Sequence, residues 1–355
     1  MSFALPDKLE KLIAPYQGNA SIAVTGFLHG DQNVYSLFGD PADTPDYAPE
    51  DLIFEIGSIS KVFTALLLAL LTEQGKIDPD RPIKDLCDEF SSAPLQLTPL
   101  SLATHMSGLP RLHIPIWKAM IQGAGDDPYS EFSRDDLVAW LRVWSSQEPR
   151  KKPGYAYSNL AFGLLGEVLA LSQSRPFLEM LRDELLGPLG MNETSACLSP
   201  QQMKRFARPH DNRGRPAVPW SFKALAGAGA LRSSAGDLAL FSSRVADALS
   251  NPTTTLDRAI GRCAEPLIGL GPRGKKEPVS QCLGWLSMKL DPTTPRMLFH
   301  DGGTAGSTSA LYICPEKRAA LTILANRGVA AGLWSSLKLS WSNPHRLAND
   351  VFAKL

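Results

Sequence analysis

The chain has 355 residues, 44% of them hydrophobic and 20% charged, with 36 basic residues balancing 36 acidic ones. This is the composition of an ordinary globular protein, long enough for two domains or one domain with a large insertion. The charge balance leaves no overall field to draw it to nucleic acid or an anionic membrane, and no apolar run nears the ~18 residues of a membrane span.

The N-terminus has no basic stretch followed by an apolar one, so no secretory signal is expected. The five cysteines (Cys87, Cys197, Cys263, Cys282 and Cys314) form no C-x-x-C pair, and there is no H-E-x-x-H. Neither a zinc site nor a disulfide framework is indicated. Free thiols in a reducing cytoplasm are the expectation.

In chain order, a short amphipathic helix is expected over Leu5 to Tyr16. Two strands, Ser21 to Leu28 and Asn33 to Phe38, follow as a hairpin closed by His29-Gly-Asp-Gln32. Then comes Phe54-Glu-Ile-Gly-Ser-Ile-Ser-Lys-Val-Phe-Thr-Ala-Leu-Leu-Leu67, opening a helix that is almost wholly apolar from Val62 to Leu71 and ends near Gly75. A helix buried on all sides has little reason to carry a lysine, because an unpaired ammonium there is costly and burial pushes its pKa down. Ser58 and Lys61 are i and i+3, on one helical face. A neutral or easily neutralised amine beside a serine is one way to make that serine a nucleophile. The same spacing recurs at Ser335 and Lys338 with no other catalytic sign around it, and Ser58 would also suit a helix N-cap.

From about residue 80 to 200 the pattern is helical, with helices expected over Arg134 to Trp144, Ala161 to Leu171 and Phe177 to Leu186. The segment 207–225, rich in Pro, Arg and Asn, reads as a surface loop. Ser234-Ala-Gly-Asp237 reads as a capping box opening a helix to about Leu249. Strands return at Gly284 to Leu290, Met297 to His300, Ser307 to Ile313 and Ala319 to Ala325, before a final helix over Trp334 to Ala353. Strands at both ends with helices between suggest one sheet built from both termini.

Pro153-Gly-Tyr-Ala-Tyr-Ser-Asn-Leu160 places Tyr157 and Asn159 in a polar loop ahead of an apolar helix. A neighbouring cation favours a phenolate, so Tyr157 set against Lys61 can act as general base. The Asn159 amide can donate to a substrate carbonyl and steady the lysine; its plain alternative is a helix cap. Phe299-His-Asp-Gly-Gly-Thr-Ala-Gly306 joins two expected strands, and its glycines let a ligand approach the backbone. Free N–H groups on that strand edge, with the Ser58 N–H, make an oxyanion hole. His300 can bind a substrate carboxylate or tune the Tyr157–Lys61 pair, or be structural.

These elements occur in a familiar order. Ser58-Ile-Ser-Lys61, Tyr157-Ser-Asn159 and His300-Asp-Gly302 resemble the S-x-x-K, Y-x-N and K-T-G or H-x-G motifs of the serine β-lactamase and penicillin-binding-protein superfamily. The branch is that of class C β-lactamases, D-alanyl-D-alanine carboxypeptidases and family VIII esterases. Leu102-Ala-Thr-His-Met-Ser-Gly-Leu-Pro110, Tyr157 to Gly166 and Ala228 to Asp237 also look like family segments, so the resemblance runs from about residue 20 to 350. By it, His105 is structural, and the absence of G-x-S-x-G argues against an α/β-hydrolase.

The resemblance implies an α/β (α+β) fold: an antiparallel sheet flanked by N- and C-terminal helices, with an inserted all-helical subdomain. The sheet domain is expected at 1–80 and 225–355, the helical subdomain at 81–224, and the active site between them. It implies acyl transfer through Ser58, with Lys61 and Tyr157 moving the proton, Asn159, His300 and Gly302 at the substrate, and the Ser58 and Gly303 N–H groups holding the oxyanion. No metal or organic cofactor is needed. His300 stands where true class C β-lactamases carry lysine, and no leader is seen. A small-molecule ester or amide is therefore the expected substrate. A D-amino-acid peptidase, carboxypeptidase or β-lactamase, an acyltransferase, and a non-catalytic acylatable sensor are the alternatives.

Overall fold

The computed structural model describes residues 21–39, 46–114, 127–146, 154–272, 278–289 and 294–328, together with 348, 351, 352 and 355. The expected helices at Leu5 to Tyr16 and, for the most part, Trp334 to Ala353 lie outside them, as does the Ser335–Lys338 pair.

Ten strands are formed among the described residues. They are β1 (Ile22–His29), β2 (Gln32–Gly39), β3 (Ile53–Glu55), β4 (Arg232–Ser234), β5 (Ile268–Pro272), β6 (Pro278–Gln281), β7 (Leu286–Met288), β8 (Met297–Gly303), β9 (Thr308–Cys314) and β10 (Ala319–Ala325). Eight build one antiparallel sheet in the order β2-β1-β10-β9-β8-β7-β6-β5. The N-terminal hairpin is welded to the C-terminal strands by β1 against β10, from Ala23↔Ala325 to His29↔Ala319. The Ile22 N–H donates to Asn326 Oδ1 at 2.7 Å, closing that seam.

Both faces of the central strands are covered, which is why β1 and β10 read as nearly continuous apolar runs. Val24, Leu28, Leu298, Leu311, Ile313, Ala320 and Leu324 join the larger core. Ala23, Phe27, Phe299, Tyr312, Leu321 and Ile323 pack on the other face with Ala348, Val351 and Phe352.

The five longer helices are α1 (Ser60–Glu73), α2 (Arg134–Ser145), α3 (Asn159–Ser172), α4 (Ala235–Ser250) and α5 (Thr255–Ala264). Helix α1 is buried from Ser60 to Leu71 and stops where Gly75 takes a φ of +68°. Among the described residues, no helix is long and apolar enough to cross a membrane.

The structure departs from the sequence reading in several places. Strands β3 to β6 were not anticipated; the pair β3–β4 has three residues on each side, too few to show a period. Strand β7 begins at Leu286, after Gly284 turns with φ +73°. The His-Asp-Gly-Gly run is the end of β8 rather than a loop. Phe177 to Leu186 starts as α-helix (Phe177–Met180) and continues as a π-helix (Leu181–Leu186). Segment 207–225 is irregular, but Ala207, His210, Asp211, Ala224 and Leu225 are buried. Ser234 does cap α4, yet the Asp237 carboxylate accepts from Glu193 N and Thr194 Oγ1, at 2.9 and 2.7 Å, instead of closing the box.

Helix α3 packs against Leu225 and Gly227 with no room to spare. A Cβ built on Gly163 would lie 2.2 Å from Leu225 Cδ2 and 2.9 Å from its Cα. Gly163→Ala should therefore lower unfolding stability by about 1–3 kcal/mol in urea titration, despite the better helix propensity of alanine. An unchanged midpoint would mean that α3 slides at no cost.

Candidate active site

Strand β3 hands the chain to a single 3₁₀ turn, Gly57–Ile59, from which α1 starts. Ser58 sits on that turn, half-buried, while Lys61 in the first turn of α1 is wholly buried. Lys61 Nζ lies 2.8 Å from Ser58 Oγ and donates to the Ala228 carbonyl at 2.6 Å. Among the described residues it forms no ion pair. Its pKa is held well below the ordinary lysine value, by burial first and by the nearby Arg111 charge second, against a smaller upward pull from Asp301. A neutral amine keeps one lone pair, so the 2.8 Å contact can equally take the Ser58 proton.

Tyr157 hydrogen-bonds Ser58 through its hydroxyl. The Lys61 Nζ is 5.2 Å from its ring centroid, Arg111 Cζ is 5.4 Å away, and the His105 ring is 4.4 Å away. Contrary to the phenolate expectation, the Tyr157 pKa is raised: burial outweighs the downward effects of the Ser58 bond and Arg111. The Lys61 cation that was to favour the phenolate is itself suppressed by the same burial. Lys61, with its lowered pKa and its Nζ 2.8 Å from Ser58 Oγ, is placed to take the serine proton, and Tyr157 stands beside it.

His105 has a local job. Its Nδ1 accepts from the Ser158 N–H at 3.1 Å and its carbonyl accepts from Ala156 N at 2.9 Å, which fixes the Tyr157 loop from both sides. Ser158, rather than Asn159, caps α3 by accepting from Ala161 N. Asn159 was expected to steady the lysine, but among the described residues it makes no hydrogen bond to it. Its Nδ2 donates to Tyr129 Oη at 2.9 Å, and its buried Oδ1 has no hydrogen-bond partner among the described residues. Tyr129 stacks on Phe222 and meets Trp220 edge-on, at centroid distances of 4.7 and 5.0 Å.

On the opposite side, β8 is not an edge strand: β7 and β9 flank it. Its pairing with β7 nevertheless stops at Phe299, so His300 to Gly303 run on past β7 toward Ser58. A Cβ on Gly302 would lie 2.1 Å from the Ile56 carbonyl and 2.9 Å from Ser58 N; one on Gly57 would lie 2.6 Å from Gly303 N. Only glycine permits this approach, which brings the Ser58 and Gly303 backbones together. His300 is buried, and its Nδ1 is 2.6 Å from the Asp301 carbonyl. Since a carbonyl only accepts, Nδ1 carries the hydrogen. Burial first, then the Lys61 charge, pushes the His300 pKa down to about 3. The ring is neutral and offers no cation to a carboxylate.

The structure therefore brings together Ser58, Lys61, Tyr157, His300, Gly302 and Gly303, and sets Asn159 at the edge through Tyr129. Arg111, Tyr129 and the Ala228 carbonyl were missed. Arg111 had a signal, standing directly after the Leu102 to Pro110 stretch; the other two had none. Among the described residues, no three His, Cys, Asp or Glu side chains cluster to hold a metal.

Because Lys61 accepts a proton only when uncharged, the rate of Ser58 acylation should rise with pH through its lowered pKa and then level off. The acid limb should survive His300→Gln, because it belongs to Lys61. Tyr157→Phe should slow acylation by about 10²–10⁴-fold, measured as mass gain with a fluorophosphonate probe.

Comparison with known proteins agrees with this geometry. Residues 9–336 match the family model Beta-lactamase. The chain is 26% identical over 323 residues to the D-alanyl-D-alanine-carboxypeptidase/endopeptidase AmpH of Escherichia coli K12, covering 84% of this chain and 78% of that one. It is 29% identical over 200 residues to a β-lactamase of Providencia stuartii, covering 55% and 47%. In three dimensions it superposes on a class C β-lactamase from Rhodobacter sphaeroides with a TM-score of 0.77 at 22% identity, covering 97% and 98% of the two chains. For a β-lactamase/D-alanine carboxypeptidase from Pseudomonas syringae the TM-score is 0.72 at 20% identity, covering 94% and 95%.

Proposed function

The chain belongs to the Beta-lactamase family of serine hydrolases, and on that premise we propose that it hydrolyses an ester or amide of a small molecule, an ester by preference, through an acyl-enzyme on Ser58. The observation that carries this reading is the 2.8 Å contact between a buried, depressed-pKa amine and a serine oxygen.

Ser58 Oγ attacks the scissile carbonyl and its proton passes to Lys61. Tyr157, hydrogen-bonded to Ser58, relays that proton to the leaving alkoxide or amine. The Ser58 and Gly303 N–H groups hold the oxyanion. A water then enters, gives its proton back through Tyr157 and Lys61, and releases the acid. Preference for an ester rests on His300: the neutral ring leaves no point charge for the carboxylate of a β-lactam or a C-terminal peptide. The aromatic wall of Tyr129, Trp220 and Phe222 suits an apolar acyl group. The peptidase reading keeps its own support, since AmpH carries that activity in its name and Asn159 is present to meet an amide.

The test is the initial rate of p-nitrophenyl butyrate hydrolysis by the wild type and Ser58→Ala, beside nitrocefin and a D-alanyl-D-alanine peptide. Ester turnover that exceeds the other two and vanishes in the variant is the expected result. Faster peptide cleavage would move the substrate to the carboxypeptidase class. An acyl adduct that never clears would make the protein a sensor.

A further inference from the structure

Glu55 closes β3, three residues before Ser58, and the mechanism above gives it no role. It is only 3% exposed. Among the described residues its one cationic neighbour is Arg232, with Nη2 4.0 Å away. Its carboxylate is nonetheless well used. One oxygen accepts from Thr304 Oγ1 at 2.6 Å and Ser307 Oγ at 3.3 Å; the other accepts from the Trp220 backbone N–H at 2.7 Å. Burial pushes its pKa up, and the Thr304 bond, Arg232 and the remaining donors pull it back.

Those partners are not scattered. Thr304 follows Gly303 directly. Its Oγ1 accepts from Gly306 N and Ser307 N at 3.2 and 3.0 Å, and its own N–H donates to the Ser307 carbonyl at 3.0 Å. The turn 304–307 is thus one hydrogen-bonded unit, moored by a single carboxylate to the strand that carries the nucleophile. Just past it, Ser309 Oγ donates to the Ile56 carbonyl at 2.8 Å. Gly57 and Gly302 leave no slack between the two backbones.

We propose that Glu55 is a positioning residue: it fixes the Gly303 N–H relative to the Ser58 N–H, and through Trp220 it ties the aromatic wall to the same point. The proposal rests on the hydrolase reading, which gives those two N–H groups a purpose. A carboxylate is the group the site requires, because it only accepts and three donors converge on it. Glutamine would turn an N–H₂ toward one of them, keeping the volume while spoiling the clamp.

The experiment compares wild type, Glu55→Gln, Thr304→Val and the double variant in two ways. The first is kcat and KM for p-nitrophenyl butyrate. The second is the Kd for phenylboronic acid, whose boron bonds the Ser58 oxygen to give a tetrahedral anion as the serine proton passes to Lys61. A Kd does not depend on how much of a preparation is active, so mere loss of folded protein would leave it unmoved. In Glu55→Gln, kcat and boronate affinity should each fall about ten- to a hundredfold while KM stays within about twofold. Thr304→Val should fall in the same direction, and the double variant should be no worse than the worse single one. Unchanged kcat and Kd, or losses that multiply, would overturn the clamp. Should Glu55→Gln not fold, Thr304→Val decides by the same criteria. A wild type that neither hydrolyses the ester nor binds the boronate would instead overturn the hydrolase reading, and the positioning role with it.

Discussion

Everything at this site depends on one unfavourable act, the removal of a lysine from water. Taking an ammonium into the protein interior costs on the order of several kcal/mol even after relaxation, and Lys61 is wholly buried with no ion-pair partner among the described residues. The only inexpensive response is to give up the proton. Neutral Lys61 then needs two things, an acceptor for an N–H and a hydroxyl for its lone pair. The Ala228 carbonyl supplies the first and Ser58 the second. Desolvation thereby becomes basicity delivered to one oxygen. The surrounding α1, apolar on every side, is what keeps water from undoing it.

Holding that arrangement requires parts of the chain that are far apart in sequence. Ser58 comes from the first strands, Tyr157 from the helical middle and Gly303 from the last third. The antiparallel sheet solves this by pairing β1 with β10, so that the N-terminal segment leading to Ser58 and the β8–β9 hairpin belong to one rigid body. The free end of β8 is then carried past β7 to meet Gly57 and Ser58. The middle segment is fixed through His105 and Ser158, and its helix α3 also packs on α1 and on Leu225 and Gly227. Ser58 and Gly303 thus share one mounting, and Tyr157 is brought to them by the packing of α3 on α1.

How much of this the sequence disclosed follows from the range of each interaction. The β1–β2 hairpin, the apolar α1 and the S-x-x-K pair are local, and their residues lie within one turn or one strand pair of each other. The glycine at 302 was legible as a point of close approach, although what comes close is the Ile56–Ser58 backbone and not only a ligand. The bond from Lys61 to Ala228 was not, since a backbone carbonyl is available at every residue. Nor was the bond from Asn159 to Tyr129, which spans a 30-residue gap and depends on tertiary packing. Strands β3 and β4 were too short for any periodicity. The sign of the Tyr157 shift was misjudged for a sharper reason. The sequence shows that a lysine is near, but only the degree of burial says whether that lysine still carries the charge invoked.

The same logic of charge bears on substrate choice. Burial lowers the pKa of both Lys61 and His300, and among the described residues Arg111 and Asp301 are the charges that act on Lys61, in opposite directions. They are opposite in sign, and burial raises the Asp301 pKa. A carboxylate would lose its water without gaining a partner on β8. On the ester reading proposed above, an uncharged substrate bears no such penalty, and the Ser58 and Gly303 N–H groups would meet the negative charge of its transition state. On the proposed reading the site answers charge that develops during reaction rather than charge the substrate brings, and an interaction stronger in the transition state than in the ground state is what raises the rate.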